Sequence, residues 1–249
     1  MFWTKALPTE RMNAEQVRRS FEVVEAPDSA IYLAAVTHIL ANGLGYKISA
    51  DHNNCVLGDG RPIPMMSYGL VEYLLGMDLS SFDLLELGGG RSTPFWASRT
   101  RSVFTFETDA AWLKQLQSHP LPNLEARLSS VQTLASDMIS LGRTFDAIVI
   151  DAAANRYHLA RSAINILRPG GFVILDNSDW YPNAAGLLRE ADLIQVDFHD
   201  FRALHHFRCT TSLFMHREFR PKPRTKRLPL PPIGGKDVAE TNQWDRASG

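Results

Sequence analysis

Asp83-Leu-Leu-Glu-Leu-Gly-Gly-Gly-Arg-Ser-Thr93 constrains the fold of this chain more than any other stretch. An apolar strand carries a carboxylate at Glu86, then meets Gly88, Gly89 and Gly90 and a run of small polar residues. Glycines just past a strand let the backbone turn sharply and approach a ligand where a Cβ would clash. Ser92 and Thr93 are placed to cap a following helix, whose first N–H groups would face that ligand. Strand, glycine turn and helix make the first half of a nucleotide-binding βαβ unit.

From residue 83 onward the pattern alternates. Strands are predicted at 83–87, 102–107, 124–128, 147–151, 172–176, 193–198 and 210–216. Helices are predicted between most of them, at 94–98, 110–118, 131–141, 156–167 and 182–190. Alternating units of this length imply an α/β fold, a doubly wound and mostly parallel sheet with helices on both faces. No helix separates the last two strands, so an antiparallel last strand is expected. Residues 67–219 thus form the nucleotide-binding domain, opened by an apolar helix from Ser67.

Residues 1–66 read as an N-terminal helical extension and loop. One helix is expected over 13–24, capped by Asn13, with Val17, Phe21 and Val24 on one face. A second opens at Asp28 or Ser29 and stops at Gly43 and Gly45. His38 lies within it and reads as a packed or interfacial histidine rather than a ligand. Residues 46–66 look irregular, the pattern of either a lid or binding loop or a plain surface connector. Residues 220–249 hold five prolines and five basic residues between Arg220 and Arg227. They read as a Pro-rich basic tail, extended, disordered or docked on a neighbour, and solvated rather than phosphate-bound. The N-terminal extension and this tail offer contacts for a homodimer.

Composition narrows the function classes. The 249 residues are 45% apolar and 21% charged with a formal net charge of −1, so no global basic field exists to hold nucleic acid. The partner expected is a small-molecule acceptor. Cys55 and Cys209 lack the spacing of a disulfide scaffold or structural zinc, which fits a reducing cytoplasm. The N-terminal residues lack signal-peptide order, and no apolar run is long enough to span a membrane.

Three features strengthen the nucleotide reading. Glu107, about 20 positions past the glycines, ends the second strand where a carboxylate can accept from both hydroxyls of a ribose. Asp151 ends the very apolar strand Ala147-Ile-Val-Ile150 at the carboxyl rim, where open parallel sheets bind ligands. Pro169-Gly-Gly-Phe-Val-Ile-Leu-Asp-Asn177 brings Asp176 and Asn177 to the same rim. Oxygens of Asp151, Asp176 and Asn177 could converge on one hard cation, which would lower the pKa of a substrate hydroxyl. Alternatively, they cap loops or hold substrate by hydrogen bonds.

Glu86-Leu-Gly-Gly-Gly-Arg-Ser92 resembles motif I of the class I S-adenosylmethionine (SAM)-dependent methyltransferases, which share a Rossmann-like fold. Glu107, Asp151 and Pro169-Gly-Gly171 fall at that superfamily's other landmarks, and the similarity covers about residues 67–216. The resemblance implies SAM as cofactor, its methionine part over Glu86, Gly88 and Gly90 and its ribose on Glu107. Asp151 with Asp176-Asn177 looks like the metal triad of catechol-type O-methyltransferases, which implies Mg²⁺ or another divalent cation. Ser92 stands where many members have a third glycine. No Gly-Asp adenine motif follows the third strand; Asp137 is the substitute, or else a solvated helix residue.

The expected reaction is O-methylation of a small-molecule or sugar-like hydroxyl, in which the protein positions and deprotonates the acceptor. Asp151, His158 and His205 are the candidate catalytic groups. Arg156 and Tyr157 could also face the acceptor, Asp179, Trp180 and Tyr181 could wall its pocket, and His206 competes with His205 as base. Two other readings use the same residues: an NAD(P)-dependent oxidoreductase and a non-catalytic nucleotide-binding module. Against the former, the third glycine of G-x-G-x-x-G falls on Thr93 and no second catalytic domain is visible.

Overall fold

A computed structural model describes residues 27–153, 155–239 and 241. The helix expected over 13–24 lies outside them. Strands β1 (Asp83–Leu87), β2 (Ser102–Glu107), β3 (Leu124–Leu128), β4 (Phe145–Ile150), β5 (Leu167–Asp176), β6 (Ile194–Asp200) and β7 (Cys209–Met215) form one sheet. Its order is β3-β2-β1-β4-β5-β7-β6. The pairs among β1 to β5 are parallel, and β7 pairs antiparallel with both β5 and β6. This is the predicted doubly wound α/β architecture with its closing hairpin. The hairpin folds back, so that β7 inserts between β5 and β6.

The helices are α1 (Pro27–His38), α2 (Tyr46–His52), α3 (Tyr68–Gly76), α4 (Thr93–Arg99), α5 (Ala110–Ser118), α6 (Leu134–Ser140), α7 (Arg156–Ile166) and α8 (Pro182–Glu190). Strand periodicity splits the core between the two faces of the sheet. Leu85, Leu87, Ile148 and Ile150 pack with Met138 of α6, Ala163 of α7 and Leu188 of α8. Leu84, Ala147, Val149 and Phe172 pack with Leu74 of α3 and Trp96 of α4. At the amino edge, Asp83 accepts from Arg101 Nε at 2.9 Å and Arg168 Nη1 at 3.0 Å, so that end is closed by ion pairs.

Several sequence expectations need correction. Residues 46–52 are helical, because Gly45 takes a left-handed conformation (φ 76°) that restarts the chain into α2. Strand β5 begins at Leu167, five residues early, and its register against β4 shifts between Phe145 and Ala147 to accommodate Pro169-Gly-Gly171. Helix α6 starts at Leu134, three residues late, because Ser130 and Thr133 form a turn before it. His38 is exposed and hydrogen-bonds Asn42 at 3.0 Å. Among the described residues no helix is long and apolar enough to cross a membrane.

The basic tail is docked over its described part. Arg224 N donates to Gly76 O at 2.8 Å, and Ile233 N to Glu72 Oε1 at 2.5 Å. Leu228 packs against the cluster beneath α3. The charged residues hid an apolar stripe, Leu228, Leu230 and Ile233, set among prolines that hold the chain extended. Deleting residues 221–249 would expose α3 and unpair Glu72. The expected result is a melting temperature lower by roughly 5 °C or more in scanning calorimetry; an unchanged transition would show that the docking contributes nothing.

Candidate functional site at the carboxyl rim of the sheet

The first half of the site grows out of β1. Glu86 is fully buried, and its Oε2 accepts from Thr93 Oγ1 at 2.6 Å. Thr93 Oγ1 in turn accepts from Gly90 N at 2.9 Å, which ties the glycine turn back to the strand. Burial pushes the Glu86 carboxyl up to about 8, with the Thr93 hydroxyl pulling the other way. Its Oε1 is buried with no hydrogen-bond partner. Thr93 therefore braces the turn. The expected helix capping is absent, since neither Ser92 nor Thr93 hydroxyl caps α4; Ser92 Oγ accepts from Met65 N at 3.1 Å instead.

The turn itself requires glycine. Gly88 has φ 99°, and a Cβ there would lie 2.8 Å from Ala152 N and 2.9 Å from Ala152 Cα. A Cβ on Gly89 would approach Thr105 Oγ1 to 2.8 Å, whereas one on Gly90 would meet nothing within 4 Å. Gly88 and Gly89 are thus needed for close backbone approach, and Gly90 is open. Beside the turn lies a cleft of about 550 Å³, lined by Gly88 to Ser92, Glu107 to Asp109, Trp112, Asp151, Ala153 and Met65. That is the size of a small-ligand or cofactor site.

Glu107 ends β2 in the wall of this cleft. Its Oε1 accepts from Thr108 N at 2.6 Å and Asp109 N at 2.8 Å, while Oε2 takes no hydrogen bond from the described residues. Asp109 caps α5 through Ala111 N at 2.7 Å, which sets Trp112 on the cleft. Arg91 lies 4.8 Å over the Trp112 ring and donates from Nε to Asn53 O at 3.0 Å. Together with the Met65–Ser92 bond, this fastens both ends of 53–65 to the glycine turn.

The second half forms where β4 and β5 end. Ile150 pairs with Leu175, so Asp151 and Asp176 follow side by side. Asp176 is fully buried; its Oδ2 accepts from Arg202 Nη1 at 2.7 Å and its Oδ1 from Thr211 Oγ1 at 2.6 Å. Arg156 donates from Nη2 to Asp151 Oδ1 at 3.0 Å, from Nε to Ala152 O at 3.1 Å and from Nη1 to Asp176 O. Burial and the neighbouring Asp176 charge raise the pKa of Asp151, against the pull of Arg156. Burial and the Arg202 charge lower the pKa of His205, whose ring lies 3.3 Å from Arg202 Nη2.

The structure therefore gathers Gly88, Gly89, Gly90, Ser92, Glu107 and Asp151 around one cleft, with Glu86 and Thr93 beneath it. It places others elsewhere. Asp137 Oδ2 is engaged by Ser129 Oγ at 2.6 Å and Thr133 Oγ1 at 2.9 Å, so Asp137 braces the loop before α6 and does not line the cleft. His158 is exposed on α7 and lines a separate hollow against α6. The cation triad expected of Asp151, Asp176 and Asn177 meets competing cationic and hydroxyl partners: Arg202 and Thr211 each donate to one Asp176 oxygen, and among the described residues no group of three or more His, Cys, Asp and Glu could hold a metal ion. Asn177 adopts φ 51° with its Nδ2 buried and unpartnered. Sequence reasoning missed Arg202 and Met65, which belong to no motif and reach the rim only through the fold.

Two outcomes follow. Because the Glu86 pKa is higher folded than unfolded, the folded state holds its proton longer, and stability falls as pH rises from 4.5 to about 8. Glu86→Gln removes this term, so its melting temperature relative to wild type should climb across that window; a pH-independent difference would refute it. Gly88→Ala adds both a strained φ and a clash with Ala152 and should cost about 2 kcal/mol or more in chemical unfolding.

No family model matches the sequence, and no curated protein matches it. Solved structures with a related backbone path include a protein described as an O-methyltransferase from Klebsiella pneumoniae, 21% identical over 59% of this chain and 76% of that one, TM-score 0.44. Fibrillarin from Aeropyrum pernix, in complex with S-adenosyl-L-methionine, is 15% identical over 59% and 74%, TM-score 0.48. Precorrin-6y C5,15-methyltransferase from Geobacter metallireducens is 10% identical over 67% and 96%, TM-score 0.49. Likeness at this level is one of chain path.

Proposed function

We propose that this chain is a SAM-dependent methyltransferase acting on a hydroxyl oxygen of a small molecule. The observation that carries the reading is the cleft beside the glycine turn: an open backbone at Gly90 and, among the described residues, a carboxylate oxygen of Glu107 and the buried Glu86 Oε1 beneath that take no hydrogen bond. Those groups suit a ligand with an amino-acid end and a ribose. Glu107 Oε2 would take ribose hydroxyls, Trp112 offers an aromatic face, and the Gly88–Gly90 backbone would meet the amino-acid end. When bound, SAM supplies an electrophilic methyl group on a sulfonium.

The chain's own task is then to place and deprotonate the acceptor. Asp151 borders the cleft with its Oδ1 held by Arg156 and its Oδ2 taking no hydrogen bond from the described residues, and its raised pKa suits a proton acceptor near neutrality. His205, whose pKa is lowered by burial and by Arg202, stands against Arg202 at the far side of the same network; the guanidinium groups between it and Asp151 donate only, so Asp151 is the proton acceptor of the reading. Met65 and Ala153 line the cleft beside Asp151, where selectivity for the acceptor would arise.

Titration calorimetry with S-adenosylhomocysteine should show one molecule bound per chain, and NADH should not compete. Glu107→Ala should weaken that binding by roughly tenfold or more, the loss expected for charge-assisted hydrogen bonds. No heat with S-adenosylhomocysteine, or saturable NADH binding in its place, would end the proposal. Asp151→Asn should lower methyl transfer to hydroxyl acceptors by about 100-fold while leaving S-adenosylhomocysteine affinity within a few-fold.

A further inference from the structure

Three oxygen donors on one rim, from Asp151, Asp176 and Asn177, make the beginnings of a shell for a hard divalent cation. In this chain two guanidinium groups already stand among them. Arg202 is only 4% exposed, with Nη1 2.7 Å from Asp176 Oδ2. Arg156 is 6% exposed and spans Asp151 and the Asp176 carbonyl. Thr211, paired in register with Asp176 across β5 and β7, takes the remaining Asp176 oxygen. One buried carboxylate, Asp176, and one at the cleft wall, Asp151, thus face two cations that do not deprotonate, and the charge of the four groups sums to zero. A divalent ion added here would have to displace a guanidinium or sit beside it, and both are unfavourable where water is excluded.

We propose that Arg202 is a built-in cation of the rim, supplying to Asp176 the positive charge that a divalent ion would bring, so that this site works without one. The planar fork of Arg202 does more than neutralise. Its Nη1 reaches Asp176 and its Nη2 lies against the His205 ring, so one group fixes both the end of β5 and the connection between β6 and β7. Tyr46 Oη donates to His205 O at 2.6 Å and locks the far side of that connection to α2. Arg202 is in this sense a positioning residue. The proposal holds whichever nucleotide occupies the cleft.

The test is Mn²⁺ titration of the full chain followed by electron paramagnetic resonance, with thermal unfolding alongside. Wild type should leave the free Mn²⁺ signal intact, and Mg²⁺ should not raise its melting temperature. Arg202→Met keeps the stem and removes the charge; it should melt lower, regain stability with Mg²⁺ and bind one Mn²⁺ roughly tenfold or more tighter than wild type. Asp176→Asn with Arg202→Met removes both charges and should respond to neither ion. If Arg202→Met fails to fold alone, refolding with Mn²⁺ should recover it; failure there, while the double variant folds, overturns the proposal. So does a wild-type Mn²⁺ site that Asp176→Asn abolishes, or a folded Arg202→Met that ignores Mn²⁺. S-adenosylhomocysteine calorimetry on the same samples reads the cofactor assignment separately.

Discussion

Four carboxyl groups gather at one rim of the sheet: Glu107 at the end of β2, Asp151 after β4, Asp176 at the end of β5, and Glu86 one residue short of the end of β1. Parallel pairing brings the first three to one level, with Glu86 two residues below them opposite Thr105 and Val149, and like charges gathered at a largely buried rim cannot all stay ionised without help. The structure relieves each in a different way. Burial raises the pKa of Glu86 beneath the glycine turn, Glu107 leans on two backbone N–H groups, and Asp151 and Asp176 are held by Arg156 and Arg202 respectively. Much of the surrounding architecture serves this rim.

The different solutions divide the rim into two working halves. On the β1–β2 side a buried acid and an anchored one each leave an oxygen without a partner among the described residues, beside an open backbone, an arrangement suited to a polar ligand. On the β4–β5 side the charges are closed into a network, and Asp151, whose Oδ2 takes no hydrogen bond from the described residues, borders the cleft. The segment from Asn53 to Met65 is held at both ends by Arg91 and Ser92, just past the glycines, and Met65 O also faces Arg202 Nη1 of the other half at 3.5 Å. The amino edge of the same sheet shows the contrast: Asp83 there is satisfied on every side by Arg101, Arg168 and Ser102.

The strands were legible because apolar runs with glycine and proline punctuation have few alternatives; β1, β2 and β3 match residue for residue. Glu86, Glu107 and Asp151 were legible because a carboxylate at the end of an apolar strand has a position dictated by that strand. Where the reading failed, local pattern and tertiary context diverged. Asp137 and His158 lie in suitable segments, yet helix rotation points one at Ser129 and Thr133 and sets the other in a different hollow. The tail read as solvated because its charges outnumber its apolar residues, although three of the latter suffice to dock it on α3.

Taken by itself, the sequence determined the order of strands and helices, the glycine turn and the rim on which a ligand would lie, since each follows from interactions among near neighbours in the chain. The partners of the rim's acids were decided only by tertiary structure. Insertion of β7 between β5 and β6 sets Thr211 opposite Asp176 and draws Arg202 in from 26 positions away. No local pattern encodes that meeting. It exists because a buried carboxylate must find a partner, and the folded chain brings a guanidinium to it.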